Sequence, residues 1–342
     1  MSVEAVVAAL ASLADRATGD RPALAGHFAN VMDIGGARIA LAADGVGTKH
    51  LLATGPGDFR GIAIDCVAMN SNDLVCVGAR PVAILDYLAV ETADGVEPYA
   101  EAIAAGFRDA EAEGAGAVVG GEVAVLPGVI APRDDGVPGL DLAATAVGVV
   151  EGDVLDGTAV APGDVVIAVA SSGPHSNGYT ALRRHVSAAG VDLDATAPWG
   201  GTGTARDQLL APTLLYPRLV EAAARTGALH AAANVTGGGL TNLCRVLHGA
   251  GMVLDRWAEA DGVFDWLLGR CEPEVAYETW NMGVGFVLVV ERDSVDTVLD
   301  AVPDGYAAWS AGRVDAGLHA GTLVLELAGA TLVADRKAVR RV

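Results

Sequence analysis

The run VVIAVASSGPHSNGYT, residues 165–180, decides how the chain is read. Its first six residues are apolar and mostly β-branched, the composition of a strand buried on both faces. The next nine compress three small hydroxyls, two glycines, a proline, a histidine, an asparagine and a tyrosine into a loop, and residues 180–187 continue as a helix. Unpaired backbone N–H groups at such a strand-to-helix junction favour anionic groups such as phosphate. An ordinary Gly/Pro/Ser turn would need neither His175 nor Asn177.

A second loop of the same kind lies upstream. Residues 37–43, ARIALAA, alternate like a strand and run into DGVGTK, residues 44–49. Asp44 and Lys49 flank a turn containing Gly45, Gly47 and Thr48. A hard cation wants oxygen ligands and an ammonium donates to phosphate oxygens, so the pair suits a magnesium nucleotide, although the spacing is not that of a Walker loop.

The next segment, GIAIDCVAMNSNDLVCVGARP, predicts a short strand at 62–64 and a helix from Asp65 to Val77, stopped by Gly78 and Pro81. Asp65, Met69, Asn72 and Asp73 fall at i, i+4, i+7 and i+8 on one face, with Asp65 and Asp73 about 12 Å apart along the axis. That stripe reads as a platform for divalent cations around a triphosphate, or Asp65 is simply a helix N-cap. An amphipathic helix is expected over 98–113, ended by Gly114 and Gly116. After it, AVVGGE predicts a strand ending at Gly120, Gly121 and Glu122, where the paired glycines would admit a ligand close to the backbone.

Composition narrows the class. With 342 residues the chain can build two domains, each alternating strands and helices, with the boundary expected near 155, in EGDVLDGTAVAPGD (151–164), giving domains 1–155 and 156–342. Apolar residues make up 52%, yet no run approaches the roughly 20 that a membrane helix needs. Four cysteines without CxxC spacing and no secretory pattern at the N-terminus predict reduced thiols and a cytoplasmic location. A net charge of −21 argues against a nucleic-acid partner.

The motifs DGVGTK (44–49), GIAIDCVAMNSNDL (61–74), GGE (120–122), SSGPHSNGY (171–179), LLAPTLLY (209–216), TGGG (236–239) and NMGVGF (281–286) together resemble the aminoimidazole ribonucleotide synthetase family, the PurM cyclo-ligases, in the family's order. The TGGGLTNL form is similar to archaeal members. The resemblance implies an α+β fold of two domains, each a sheet covered by helices, with an N-terminal ATP and metal domain and a C-terminal substrate domain. It also implies a homodimer in which the N-terminal sheets of two subunits form a shared barrel.

It implies ATP and Mg2+ as cofactors and a small ribonucleotide as substrate. ATP would be held by Asp44, Gly45, Gly47, Thr48, Lys49, Asp65, Asn72, Asp73, Gly120, Gly121 and Glu122, and the metal by Asp44, Asp65 and Asp73. The ribonucleotide would be gripped by Ser172, Gly173, His175, Ser176, Asn177, Thr213, Asn234, Thr236, Gly237 and Gly238. His175, Lys49 and Asp73 would be catalytic, His175 as an acid/base or phosphate donor because an imidazole ordinarily titrates near neutral pH.

The chain also departs from the family pattern. It has no YxxAGVDI-like opening segment, Asn234 stands where a histidine usually precedes TGGG, Val123 and Val125 replace polar residues beside Glu122, and Glu278 and Trp280 alter the YRTFN motif. These departures leave two other readings open. One is a divergent relative that activates another amide or oxygen acid with ATP, in a superfamily that includes selenophosphate synthetase, thiamine-monophosphate kinase and a hydrogenase maturation factor. The other is a non-catalytic nucleotide-binding homologue.

Overall fold

Two sheets built from different halves of the sequence organise residues 24–342, the part of the chain that the computed structural model describes. The altered opening segment lies outside these described residues. Strands β1 (Asn30–Ile34), β2 (Ala37–Gly45), β3 (Arg80–Val90), β4 (Ala117–Val125) and β5 (Leu140–Val149) form a five-stranded sheet in the order β1-β2-β5-β3-β4. Only β3 and β4 run parallel, joined through the helix α2 (Ala93–Ala112). Side chains alternate along β5: Leu140, Leu142, Ala144 and Ala146 are buried, while Asp141 and Thr145 are exposed.

The buried face packs under α1 (Pro56–Cys76) and α2. The other face presents Ile34, Leu85 and Tyr87, which are 54%, 48% and 45% exposed.

The second sheet has eight strands: β6 (Val165–Ala170), β7 (Leu229–Asn234), β8 (Gly251–Leu254), β9 (Val284–Val290), β10 (Ala308–Asp315), β11 (Leu323–Leu327), β12 (Ala330–Ala334) and β13 (Val339–Arg341). Their order is β13-β12-β11-β8-β10-β6-β9-β7. All seven residues of β9 and the four inner residues of β6 are buried, as their unbroken apolar runs require. The α+β class with a helix-covered sheet in each half is thus as expected from the sequence.

Three local expectations are corrected. Residues 62–64 are not a strand but the second turn of α1, which begins earlier because Pro56 occupies its first position and the Asp58 carboxylate accepts the N–H groups of Thr54 and Gly55 at 2.7 and 3.1 Å. Asp65 is therefore mid-helix, not a cap. β4 does not end at Glu122 but continues to Val125, because its pairing with β3 runs through Val90↔Val125.

α1 is buried on almost every side. An extended strap from the C-terminal half, residues 209–216, crosses one of its faces on the way to helix Pro217–Arg225.

Candidate functional site

The loops singled out in the sequence meet where the two halves of the molecule face each other. β2 delivers Asp44 and Gly45, and a 3-10 segment, Gly47–Leu52, carries Thr48 and Lys49. Asn70 on α1 donates to the Asp44 carbonyl at 3.1 Å, and the Asp44 carboxylate accepts the Gly45 N–H at 2.7 Å. Thr48 Oγ1 lies 3.0 Å from Thr180 Oγ1, so the 44–49 turn touches the end of the 171–179 loop. Asn177 in that loop donates to Met69 Sδ at 3.4 Å, and its Oδ1 is 3.2 Å from where a Cβ on Gly237 would stand. Asn234, at the end of β7, donates to Asp73 Oδ1 at 3.0 Å. Asp44, Thr48, Asp73, Asn177 and Gly237 thus come together at one cleft, with Asn234 fully buried behind Asp73.

Several supports of this cleft were missed in the sequence. Asn242 donates to Thr236 Oγ1 at 3.2 Å and Thr241 Oγ1 to the Gly238 carbonyl at 2.9 Å, which fixes the 236–239 turn. Arg133 donates to the carbonyls of His50, Leu51 and Ala53 at 3.0, 3.2 and 2.9 Å, and Arg206 reaches the Leu52 carbonyl from the other half of the chain. These two arginines cap the end of the 3-10 segment, whose carbonyls have no partner within it. Only the polar Leu-Thr-Asn after TGGG hinted at any of this.

The stripe on α1 docks the other half of the molecule. Lys49 Nζ lies 3.0 and 2.8 Å from the two Asp65 oxygens and donates to the Ala211 carbonyl at 2.7 Å, with both side chains fully buried. Two of the ammonium's three donors are thus placed on Asp65 Oδ1 and the Ala211 carbonyl, and Asp65 Oδ2 is held by charge alone, with no hydrogen-bond partner. Asp65 also accepts the Thr213 N–H and hydroxyl at 2.8 and 2.6 Å, and Asn72 holds the Leu214 carbonyl and the Tyr216 N–H at 2.9 and 2.8 Å. Lys49, Asp65, Asn72 and Thr213 form a clamp, which corrects the expectation that Lys49 donates to phosphate and Asp65 binds a metal.

Magnesium usually takes one or two carboxylates together with substrate phosphates. Asp44, open to solvent but walled by protein, and half-buried Asp73 fit that role, and no group of three or more ligating side chains stands ready among the described residues. Burial raises the Asp44 carboxyl above its usual range. Burial also pushes Asp73 up to about 7, against the Asn234 hydrogen bond and the Arg245 charge and helped by Asp44. For Lys49, burial works downward against the Asp65 charge.

His175 is corrected as well. Its ring is 1% exposed and lies against Tyr216, with Nε2 accepting the Ser172 N–H at 3.3 Å. Gly285 makes room for it, since a Cβ there would stand 2.4 Å from His175 Cε1 and 2.1 Å from the Tyr216 hydroxyl. Burial and the Lys49 charge hold the imidazole down at about 3, so it stays neutral and is not poised to exchange protons near pH 7. Its backbone, at φ 58°, makes the turn between Pro174 and Ser176.

The remaining candidates divide among several places. Ser172 donates to the Pro212 carbonyl at 2.5 Å and the Gly173 carbonyl accepts from Asn281 at 2.8 Å, and both residues line a separate hollow of about 470 Å³ with Gln208, Asp261 and Trp309. Ser176 is buried beside Thr213 at 3.5 Å. Gly121 serves Asp86, whose Oδ1 would lie 2.1 Å from a Cβ there. Gly121 pairs with Asp86 in the row that includes Ala144 and Asp44, so Glu122, one residue on, points to the opposite, open face of the sheet. Gly120 and Glu122 therefore face away from the cleft within one chain, while Gly121 shares the Asp44 face at the far side of the sheet.

Comparison with known proteins identifies the family. The model for the N-terminal domain of AIR synthase related proteins matches residues 26–150, and the one for their C-terminal domain matches 161–324. The phosphoribosylformylglycinamidine cyclo-ligase of Thermococcus kodakarensis is 40% identical over 84% of this chain and 83% of its own length. That of Methanobrevibacter smithii is 37% identical over 82% and 80%.

Solved structures share the fold at low identity. Hydrogenase maturation protein HypE in complex with ATP has a TM-score of 0.62 at 20% identity, covering 100% of this chain and 94% of that one. Thiamine monophosphate kinase from Aquifex aeolicus has 0.61 at 14%, covering 95% and 98%. With both domain models matched in order and curated relatives aligned over most of their length, the chain belongs to the AIR synthase related family.

Proposed function

We propose that the chain is an ATP-dependent cyclo-ligase that closes the imidazole ring of 5-aminoimidazole ribonucleotide from formylglycinamidine ribonucleotide. The observation that carries the reading is the convergence of the 44–49, 171–180 and 236–239 loops on one cleft, in a chain 37–40% identical to cyclo-ligases over most of its length. In this reaction the formyl-amide oxygen takes the γ-phosphoryl group of ATP and ADP leaves. The amidine nitrogen then attacks the activated carbon, the C–O bond breaks with release of phosphate, and loss of a proton completes the ring.

The protein's part is positioning and charge stabilisation. Asp44 and Asp73 would hold a magnesium ion, which supplies neutralisation of phosphate charge. The 236–239 turn and Asn177 would orient the ribonucleotide. The clamp of Lys49, Asp65, Asn72 and Thr213 fixes the two halves against each other, with the division of labour between them placed near residue 155.

A homodimer is part of the proposal. The open sheet face with Ile34, Leu85 and Tyr87 is the kind of apolar surface that a second copy covers. Glu122 on that face would then belong to a nucleotide site completed by the partner. Leu85→Glu should convert the dimer to monomer in light scattering. An unchanged mass would remove this face from the interface. A cytoplasmic location follows from the purine-synthesis role.

The decisive measurement is phosphate release from ATP with formylglycinamidine ribonucleotide. Turnover that depends on both substrates and on magnesium is expected, and ATP hydrolysis indifferent to the ribonucleotide would overturn the reading. The divergent relative is the second reading, because residue 234, buried against Asp73, is an asparagine and supplies that carboxylate with no group that titrates near neutral pH. Release of phosphate with a different amide, and none with the purine intermediate, would select that reading.

A further inference from the structure

Beside the cleft, basic side chains gather from three separate segments of a strongly acidic chain. Arg245 belongs to the 3-10 segment Gly239–Val246, which follows directly on the 236–238 turn. Its guanidinium stacks on the Phe28 ring at 4.8 Å, and among the described residues it makes no hydrogen bond or ion pair. Asp73, across from it, is the carboxylate whose charge reaches it.

Among the described residues, both ring nitrogens of His27 are buried without a partner, as is Nε2 of His248. Arg336 donates to the carbonyls of Cys244 and Arg245 at 3.3 and 3.0 Å, tying down the backbone that presents Arg245. Burial and the charges of Arg245 and His248 hold His27 neutral, at about 3. The half-buried guanidinium keeps its donors without an acceptor among the described residues, which is costly until an anion supplies one, while the buried neutral imidazole of His27 brings no competing charge to it.

We propose that Arg245, with His27 and His248 beside it and Arg336 supporting its backbone, binds the phosphate monoester of the ribonucleotide substrate. The assignment rests on the cyclo-ligase reading and extends it to an unassigned residue set. Charge logic separates the two phosphate-bearing substrates. Magnesium-bound ATP brings its own cation and seeks carboxylates, which Asp44 and Asp73 offer, whereas a monoester dianion brings none and seeks guanidinium.

The test is calorimetric titration of the full chain with ribose 5-phosphate, and separately with a non-hydrolysable ATP analogue plus magnesium, for wild type, Arg245→Gln and Arg245→Lys. Arg245→Gln should weaken ribose 5-phosphate by about ten- to a hundredfold, as for other hydrogen bonds to charged groups, and change the ATP analogue far less, since the arginine reaches that site only through its charge on Asp73. Arg245→Lys, which keeps the charge but loses the fork, should fall between, and it decides the matter if the glutamine variant does not fold.

Equal ribose 5-phosphate affinity in all three proteins, no binding to wild type, or a loss confined to the ATP analogue would each overturn the proposal. Its failure is separable from failure of the cyclo-ligase reading. Arg245-dependent binding of ribose 5-phosphate stands even if formylglycinamidine ribonucleotide is not turned over, and turnover stands even if that binding ignores Arg245.

Discussion

Asp65 and Asp73 sit two turns apart on the same face of α1, yet their surroundings differ in every respect that matters. Asp65 is fully buried, its Oδ1 accepting from Lys49 and twice from Thr213, while its Oδ2 lies 2.8 Å from the Lys49 ammonium and accepts no hydrogen bond. Asp73 is half-buried, holds one hydrogen bond from Asn234, and its carboxyl is pushed up to about 7 by burial. The difference separates structure from function on a single helix. A charge neutralised by a cation in contact holds domains together, and one that meets only a neutral amide is available to a ligand.

The strongest way to break this comparison is Lys49→Met. Removing one partner of a buried ion pair leaves the other uncompensated, so the variant should lose about 3–5 kcal/mol of stability in urea denaturation. The double variant Lys49→Met/Asp65→Leu should recover much of it. If Lys49→Met keeps full stability and loses only ATP affinity, Lys49 is a phosphate ligand and the clamp assignment falls.

Asp73→Asn is expected to do the opposite, raising stability while abolishing ATP turnover. The folded-state carboxyl titrates at about 7 against an ordinary 3.8, so the native state binds the extra proton between those values and wild-type stability falls as pH rises through that window. Above pH 7 the full penalty is present, and the asparagine removes it. The gain should be near zero at pH 4 and reach about 1–4 kcal/mol by pH 8 in metal-free buffer. The new amide can also donate to Asn234 Oδ1, which is buried without a partner. A variant less stable than wild type at pH 8 would show that Asp73 is as well satisfied as Asp65.

His175 sharpens the comparison from the other side of the cleft. A buried neutral ring in the left-handed region predicts that His175→Asn, which tolerates φ 58°, costs about 1–3 kcal/mol through lost packing. Its kcat should fall by far less than the 10²–10⁴ expected of an acid/base group, with an unchanged pH–rate profile. Loss of a limb from that profile would restore the imidazole to proton transfer.

What was legible in the sequence follows from the range of the interactions. β6 and the helix after it, Tyr179–Ala188, were readable because an apolar β-branched run and a Gly/Pro/Ser loop are local signals. The 3.6-residue period placed Asp65, Met69, Asn72 and Asp73 on one face. It could not say what covers that face, because the covering strap joins Asp65 to Thr213 across 148 residues. Asn177 and Gly237 were named for the right turns but not for their meeting. Arg133, Arg206 and Arg245 carry no motif, and each acts on carbonyls or rings brought to it only by the fold. Ser172 and Gly173 were grouped with Asn177 by adjacency, though the buried turn at His175 sends them to a different hollow.

The smallest expected effect belongs to Asn234, where the chain departs from its relatives. The side chain is 0% exposed and ends β7, so it cannot touch reacting atoms and acts through Asp73, as a positioning residue. In Asn234→His one ring nitrogen can still donate to Asp73 while the other faces the place where the amide oxygen already lacks a partner. The contact that matters is kept. The imidazole gains no route to substrate, and kcat with formylglycinamidine ribonucleotide should change by less than about tenfold, under ~1.4 kcal/mol in the barrier. The KM for ATP should move more than kcat, since Asp73 is the group being repositioned. A rise in kcat beyond tenfold, with a new limb in the pH profile, would mean that the asparagine marks a lost proton-transfer group. The chain's own reaction would then have to be sought among other amides.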